Sequence, residues 1–350
     1  MELKQKYILA LTFGFIYGLS SASETLAIKA LNYAPEKIHL PIYTSLLSNQ
    51  LWIFMFPVYI YMYIYREIPV KNTTTNYTVH SIILGILTFL ITIFRNISVN
   101  AIPGSVFLLL IGTSIIFNMI LSAVWLKKCF NYWHITAAVL CLSSAVVVGS
   151  ISFITVDNRS NYSIGVPAAI AAAFFIGTMN VTQEYLQTFW DDFTFRAIEM
   201  TVYSSLIASV LTLMIGVSEI STWATVMTLI SGNRDSLILI ICISIALPVI
   251  KLIIRSSKYS TIQYSNAFFF EFVQSSSSLL GSLANIFIFG EPWGHGYIAS
   301  IILMMISYAV YIHAKNVSKK ATALAAQPKQ DEISIDNPLE IQVSIIRGWK

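Results

Sequence analysis

The sequence predicts an all-α integral membrane protein with about ten transmembrane helices in two inverted five-helix repeats. Three observations carry that prediction. Of 350 residues, 56% are hydrophobic and 11% charged, well below the roughly 25% charged of a soluble domain. The apolar stretches recur at lengths near the ~20 residues that cross about 30 Å of hydrocarbon as a helix. A phrase also recurs: Leu126-Lys-Lys-Cys-Phe-Asn-Tyr-Trp-His closes the fourth stretch and leads into the fifth, much as Phe289-Gly-Glu-Pro-Trp-Gly-His closes the ninth and leads into the tenth. An odd number of spans in each half sets the halves in opposite orientations, the plan of carriers whose solute site lies near the midplane between repeats.

In chain order, residues 1–6 form a cytoplasmic amino terminus and 7–155 the first five-helix repeat, with spans at 7–31, 40–65, 79–99, 101–126 and 132–155. The first apolar run lacks a small-residue cleavage pattern and is longer than a signal peptide's apolar core, so it is expected to be retained. Pro103-Gly104 opens the fourth span as a helix start after a tight turn, and Pro57, Pro167 and Pro248 are placed to kink or begin spans. A lumenal linker at 156–162 precedes the second repeat at 163–314, with spans at 163–186, 195–217, 237–254, 263–290 and 293–314. Beyond it, 315–350 mixes Lys, Gln, Asp, Asn and Pro and reads as a flexible cytoplasmic tail.

Lys and Arg set the orientation. One side collects Lys4, Lys6, Arg66, Lys71, Lys127, Lys128, Arg255, Lys258, Lys315, Lys319 and Lys320; the other has Lys37, Arg159 and Arg234. Both termini are therefore expected in the cytoplasm, and the sequons at Asn158 and Asn161 fall on the opposite side. The formal charge of +4 carries no basic block of the kind nucleic acid requires. Cys129, Cys141 and Cys242 have neither framework nor metal spacing and are expected to be buried free thiols. No P-loop, HExxH or GxSxG is present and the five His are scattered, so neither enzyme chemistry nor a cofactor is expected.

The span at 263–290 carries the strongest functional signal. Glu271, Gln274, Ser275, Ser278, Ser282 and Asn285 follow steps of three or four and share one helical face, while Phe268, Phe269, Phe272, Leu279, Leu283 and Ile286 cover much of the remainder. An ionised Glu mid-bilayer costs about 2.5–3.5 kcal/mol even on the mildest scales, so such a residue usually faces a partner, a cavity or a proton path. In the first span Tyr17, Ser20, Ser21 and Glu24 share a face, and in the fourth Ser114, Asn118 and Ser122 do. Small polar residues also allow close helix packing, so both roles stand for each of these residues. Glu24, Ser114, Asn118, Glu271, Gln274 and Ser278 are the candidate substrate-binding residues, and two converging acids would favour a cation or a proton. Lys29, Arg95, Glu184 and Lys251 lie close enough to span ends to snorkel, and Glu199 either pairs locally with Arg196 at the helix entrance or faces a cavity.

Gly104-Ser-Val-Phe, Ile116-Phe-Asn-Met-Ile-Leu-Ser, the Leu126-Lys-Lys close and Phe289-Gly-Glu-Pro-Trp resemble the repeat ends of the drug/metabolite transporter superfamily. Thr178-Met-Asn-Val-Thr-Gln-Glu-Tyr-Leu, followed by Asp192-Phe-Thr-Phe-Arg-Ala-Ile-Glu-Met-Thr-Val-Tyr-Ser-Ser, is most similar to its chloroquine resistance transporter family. That resemblance implies a ten-helix carrier of an acidic organelle such as the vacuole, moving amino acids, peptides or cationic compounds with protons, and a cavity zone near Ser23, Glu24 and Thr25. The chain departs from the family's pattern where 217–236 is short and lacks Cys. The expected function is alternating-access transport of a small organic solute in a lipid bilayer. A nucleotide-sugar or nucleoside-type carrier of the same superfamily, and a non-transporting receptor or chaperone, are the alternatives.

Overall fold

A backbone crossing hydrocarbon has no hydrogen-bond partner but itself, so long apolar runs become helices. The computed structural model describes residues 3–32, 41–65, 74–155, 159–188, 193–218, 234–290 and 295–326. Their helices are α1 (Leu3–Asn32), α2 (Pro41–Asn49), α3 (Leu51–Tyr65), α4 (Thr74–Ala101), α5 (Gly104–Ile111), α6 (Ser114–Trp125), α7 (Tyr132–Thr155), α8 (Arg159–Gln187), α9 (Phe193–Ser218), α10 (Arg234–Tyr264), α11 (Ala267–Phe289) and α12 (His295–Ala326). Among the described residues, Val79–Ala101, Gly104–Trp125, Asn161–Gln187, Phe193–Gly216 and Gly296–Ala314 are long and apolar enough to cross a membrane. The outer surface is apolar, with Ile8, Phe15, Tyr65, Val124, Met214 and Met305 exposed, whereas many Ser, Thr and Asn side chains are buried. That distribution is the one a bilayer imposes. Lys37, Arg66, Lys71, Asn158, Asp191, Asp192 and the tail from 327 onward lie outside the described residues.

Three spans and the tail depart from what was expected. The second span is two helices, α2 and α3, separated at Gln50. The fourth is broken as well: at Gly112 and Thr113 the backbone N–H groups donate three residues back, to Leu109 and Leu110, at 3.1 and 3.0 Å. Such a tightened turn marks discontinuous helices in transporters. Pro103 does begin α5, and the Ile102 carbonyl just ahead of it accepts from Lys29 Nζ at 2.8 Å. The third departure is the largest. The eighth span continues as helix to Tyr264, so Arg255 and Lys258, counted above as cytoplasmic loop charges, are buried helical residues. Asn266 then caps α11 by accepting from the Phe269 N–H at 2.7 Å, and Gly290 ends it in the left-handed conformation at φ 64°. At the carboxyl end α12 runs to Ala326, past the expected start of the tail.

Packing brings α1 against α10 and α11, and α8 against α4 and α6. α5 meets α11, and α7 meets α12. Ser144 and Ser300 join the last pair by donating to each other's carbonyl oxygens at 2.9 and 3.0 Å. Gly177 sets the approach of α8 to α6, since a Cβ there would lie 3.0 Å from the Asn118 nitrogen and 3.0 Å from the Ser114 carbonyl oxygen. Cys141 is buried as expected, whereas Cys129 and Cys242 are exposed.

An ion cluster pins α1, α4 and α10. Glu24 accepts from Arg95 at 2.5 Å through Oε2 and forms an ion pair with Lys251 at 2.7 Å through Oε1. Arg95 also donates to Thr25 Oγ1 at 3.0 Å and to the Ser21 carbonyl at 3.3 Å. Arg95 and Lys251 therefore point inward rather than snorkelling, because a buried carboxylate satisfies them better than a distant headgroup does. One turn on along α10, Arg255 donates to Ser204 and Thr88 at 2.8 and 2.9 Å.

Two stability measurements follow from this packing. Gly177→Val inserts side-chain volume against α6 backbone and is expected to destabilise by about 1–3 kcal/mol, read as a lower thermal unfolding midpoint in detergent. Glu24→Ala leaves two cations without their carboxylate and is expected to cost about 3–5 kcal/mol, with Glu24→Gln combined with Lys251→Met costing less than the sum of the single changes. An unchanged midpoint for Glu24→Ala would contradict the pinning role.

Candidate functional site

The site is built on α11 at Glu271. Asn266 caps the helix, so Glu271 stands little more than one turn inside it and points between α6 and α8. Glu271 is 0% exposed. Its Oε2 accepts from Ser114 Oγ at 2.5 Å, and its Oε1 accepts from Asn118 Nδ2 at 3.4 Å and from the Asn180 side-chain amide. Ser122 extends the chain by donating to Asn118 Oδ1 at 3.1 Å. The tightened turn at Gly112–Thr113 makes Ser114 the first residue of α6, on the side that meets the carboxylate. Among the described residues no cation lies within salt-bridge distance of Glu271; neutral donors hold it.

Around this clamp the interior stays polar. Tyr17 of α1 donates to Gln274 Oε1 at 3.1 Å and sets its ring edge-on to Phe270 at 4.5 Å. Tyr17 is within electrostatic reach of Arg95, Glu24 and Glu271, and so links the ion cluster to the clamp. Lys258 of α10 lies 5.8 Å from the centre of the Phe270 ring. Gln183 of α8, also 0% exposed, has no hydrogen-bond partner for either Nε2 or Oε1 among the described residues, nor does Asn180 for its Oδ1.

Of the sequence-predicted residues, Ser114, Asn118 and Glu271 meet directly, and Gln274 lies one turn away, bonded to Tyr17. The side chain of Ser278 lies outside the described residues. Glu24 is buried, but it belongs to the ion cluster, so the two acids do not form a joint acidic face. Buried basic groups outnumber them: Arg95, Lys251, Arg255 and Lys258 line the same region, which weakens the case for a cation. Farther along α11 the polar face packs on protein, with Ser282 donating to the Ser105 carbonyl at 3.1 Å and Asn285 close against Gly104. Arg196 and Glu199 pair at 2.7 Å, as expected. Glu184 does not snorkel: it pairs with Lys128 and accepts from the Ala267 N–H at 3.1 Å, tying α8 to the start of α11.

Asn180, Gln183 and Lys258 were not singled out from the sequence. The signal for the first two is a run of amides, Asn180, Gln183 and Gln187, at helical spacing in an otherwise apolar span. Lys258 carries no comparable signal, because its neighbours Ser256, Ser257 and Ser260 read as loop.

The comparisons with known proteins bear on fold and class. No match is found among curated proteins. One solved crystal structure covers 88% of this chain and 98% of its own with a TM-score of 0.57 at 15% identity, a likeness of fold alone. Residues 42–321 match a family described as purine nucleobase transmembrane transport. The expected class, a membrane transporter, is thus the one found, while the narrower likeness to the chloroquine resistance transporter family is not what the comparisons carry. With most of its length inside that match, the chain belongs to the purine nucleobase transmembrane transport family.

Proposed function

We propose that this protein carries a purine nucleobase across a membrane by alternating access, at a site between α6, α8 and α11, and that Glu271 couples substrate to proton movement. The carrying observation is a fully buried carboxylate held by neutral donors from both halves of the chain, Ser114 and Asn118 from one and Asn180 from the other, in a member of this family. Purines offer ring N–H groups and ring nitrogens, which hydroxyl, amide and carboxylate groups can read. Neutral donors can be exchanged for substrate donors without opening an ion pair. Amino acids, peptides and cationic compounds fit less well, since the surrounding buried charge is mainly basic.

The inverted-repeat reading is part of this proposal. What supports it is the packing pattern: α1 sits on α10 and α11 as α8 sits on α4 and α6, and the Ser144–Ser300 contact is reciprocal. A midplane site between opposed halves is the usual location in such carriers.

Purified protein in proteoliposomes under an imposed proton gradient tests the reading. Saturable uptake of labelled purine nucleobase is expected, and uptake of amino acids, peptides or nucleotide sugars is not. Glu271→Gln keeps the shape and removes the titrating oxygen, so gradient-driven accumulation should fall at least roughly tenfold while substrate exchange at equal pH persists. Full gradient-driven accumulation in that variant would remove Glu271 from coupling.

A further inference from the structure

We infer that the junction of α8, α10 and α11 selects 6-oxopurines over adenine, with Lys258 and Gln183 as the selecting residues; this rests on the purine reading of the same site. A fully buried amide without partners among the described residues points to a ligand there, and a buried lysine borders it. Lys258 is 7% exposed, with its Nζ 5.8 Å from the centre of the Phe270 ring. Its surroundings are the Phe270 ring, the like charges of Arg255 and Lys251, and Glu271 farther off. Gln183 is fully buried with both ends of its amide unpartnered. A buried polar group left without a partner costs free energy, and the donor–acceptor pair of the Gln183 amide beside a buried lysine describes a complementary molecule.

The two groups face one junction. Asn180, Gln183, Glu184 and Gln187 form a single stripe on α8. Asn180 on that stripe bonds Glu271, Glu184 accepts from the Ala267 N–H, and Gln187 donates to the Tyr259 carbonyl at 3.4 Å. Gln183 therefore aims between α11 and the segment of α10 that carries Lys258.

A 6-oxopurine presents O6 and N7 as neighbouring acceptors, the pair that lysine and arginine read in guanine, whereas adenine puts an amino donor at position 6. Lys258 Nζ donates in either protonation state, so it pairs with O6 and N7 and meets adenine donor to donor. The Gln183 amide accepts from a ring N–H and donates to a ring or exocyclic acceptor, and Asn180 Oδ1 adds a second acceptor. Sites built to hydrogen-bond a particular group reject the analogue that lacks it, because their own buried groups then stay unpaired.

Competition against labelled hypoxanthine uptake in proteoliposomes tests this. Unlabelled hypoxanthine and guanine are expected to compete at concentrations at least roughly tenfold below adenine, and Lys258→Met should narrow that ratio to within about threefold. Gln183→Leu should raise the half-saturating concentration of hypoxanthine about tenfold. Adenine competing as well as hypoxanthine in the unaltered protein would overturn the selectivity and leave purine transport standing, and that measurement needs no variant to fold. Uptake of no purine at all would remove the transport reading, and the selectivity with it. Wild-type ratios and half-saturation in both variants, each folded by its thermal unfolding curve, would also overturn the assignment.

Discussion

The arrangement depends on the demand of one carboxylate. Glu271 is fully buried where hydrocarbon and packed protein offer little solvation, so its oxygens must be served by donors brought to it. Meeting that demand dictates several local features. The turn at Gly112–Thr113 places Ser114 at the head of α6, the absence of a side chain at Gly177 lets α8 come close enough for Asn180 to reach, and the Asn266 cap fixes where α11 begins. Each is a departure from a plain apolar helix, and all three lie around the same side chain.

The second buried acid is satisfied in the opposite manner. Glu24 sits between Arg95 and Lys251, and Arg95 has further acceptors in Thr25 and the Ser21 carbonyl. Truncating one partner of such a cluster strands the others, so it acts as a joint among α1, α4 and α10. The cations nearby that Glu24 does not pair with are Arg255, given to Ser204 and Thr88 hydroxyls, and Lys258. A site bordered by that surplus is shaped for acceptor-bearing solutes, which agrees with nucleobases better than with the cations suggested by two acids in one sequence.

Much of this was legible in the chain. The polar stripe from Glu271 to Asn285 and the matching Ser114, Asn118 and Ser122 were visible because small polar residues recur at helical spacing within apolar runs, and the structure joins the two stripes at Glu271. The ends of the stripes were not separable by pattern: Ser282 and Asn285 have the same spacing as Gln274 but pack on α5. Arg255 and Lys258 were hidden for a different reason. The segment RSSKYSTIQ has the composition of a loop, and only the packing of α10 between α1 and α11 makes it an interior helix. That also takes two basic charges out of the loop tally on which orientation was judged, although the remaining bias still favours the same side.

On the repeat reading, α1 and α8 hold equivalent places, and they differ in how their polar groups are held. α1 contributes an acid locked to two cations; α8 contributes an amide that lends one hydrogen to Glu271 and keeps its oxygen unpartnered. Replacing an amide–carboxylate hydrogen bond with a substrate–carboxylate one exchanges like for like, at a net change of about 1 kcal/mol. Opening the Glu24 cluster would strand buried charge at about 3–5 kcal/mol. A carrier must rearrange at its site in every cycle, and a barrier of the smaller size is compatible with turnover while the larger is better suited to a fixed joint. The motion is therefore expected to pass through α6, α8 and α11 around Glu271, with α1, α4 and α10 turning as one body about Glu24.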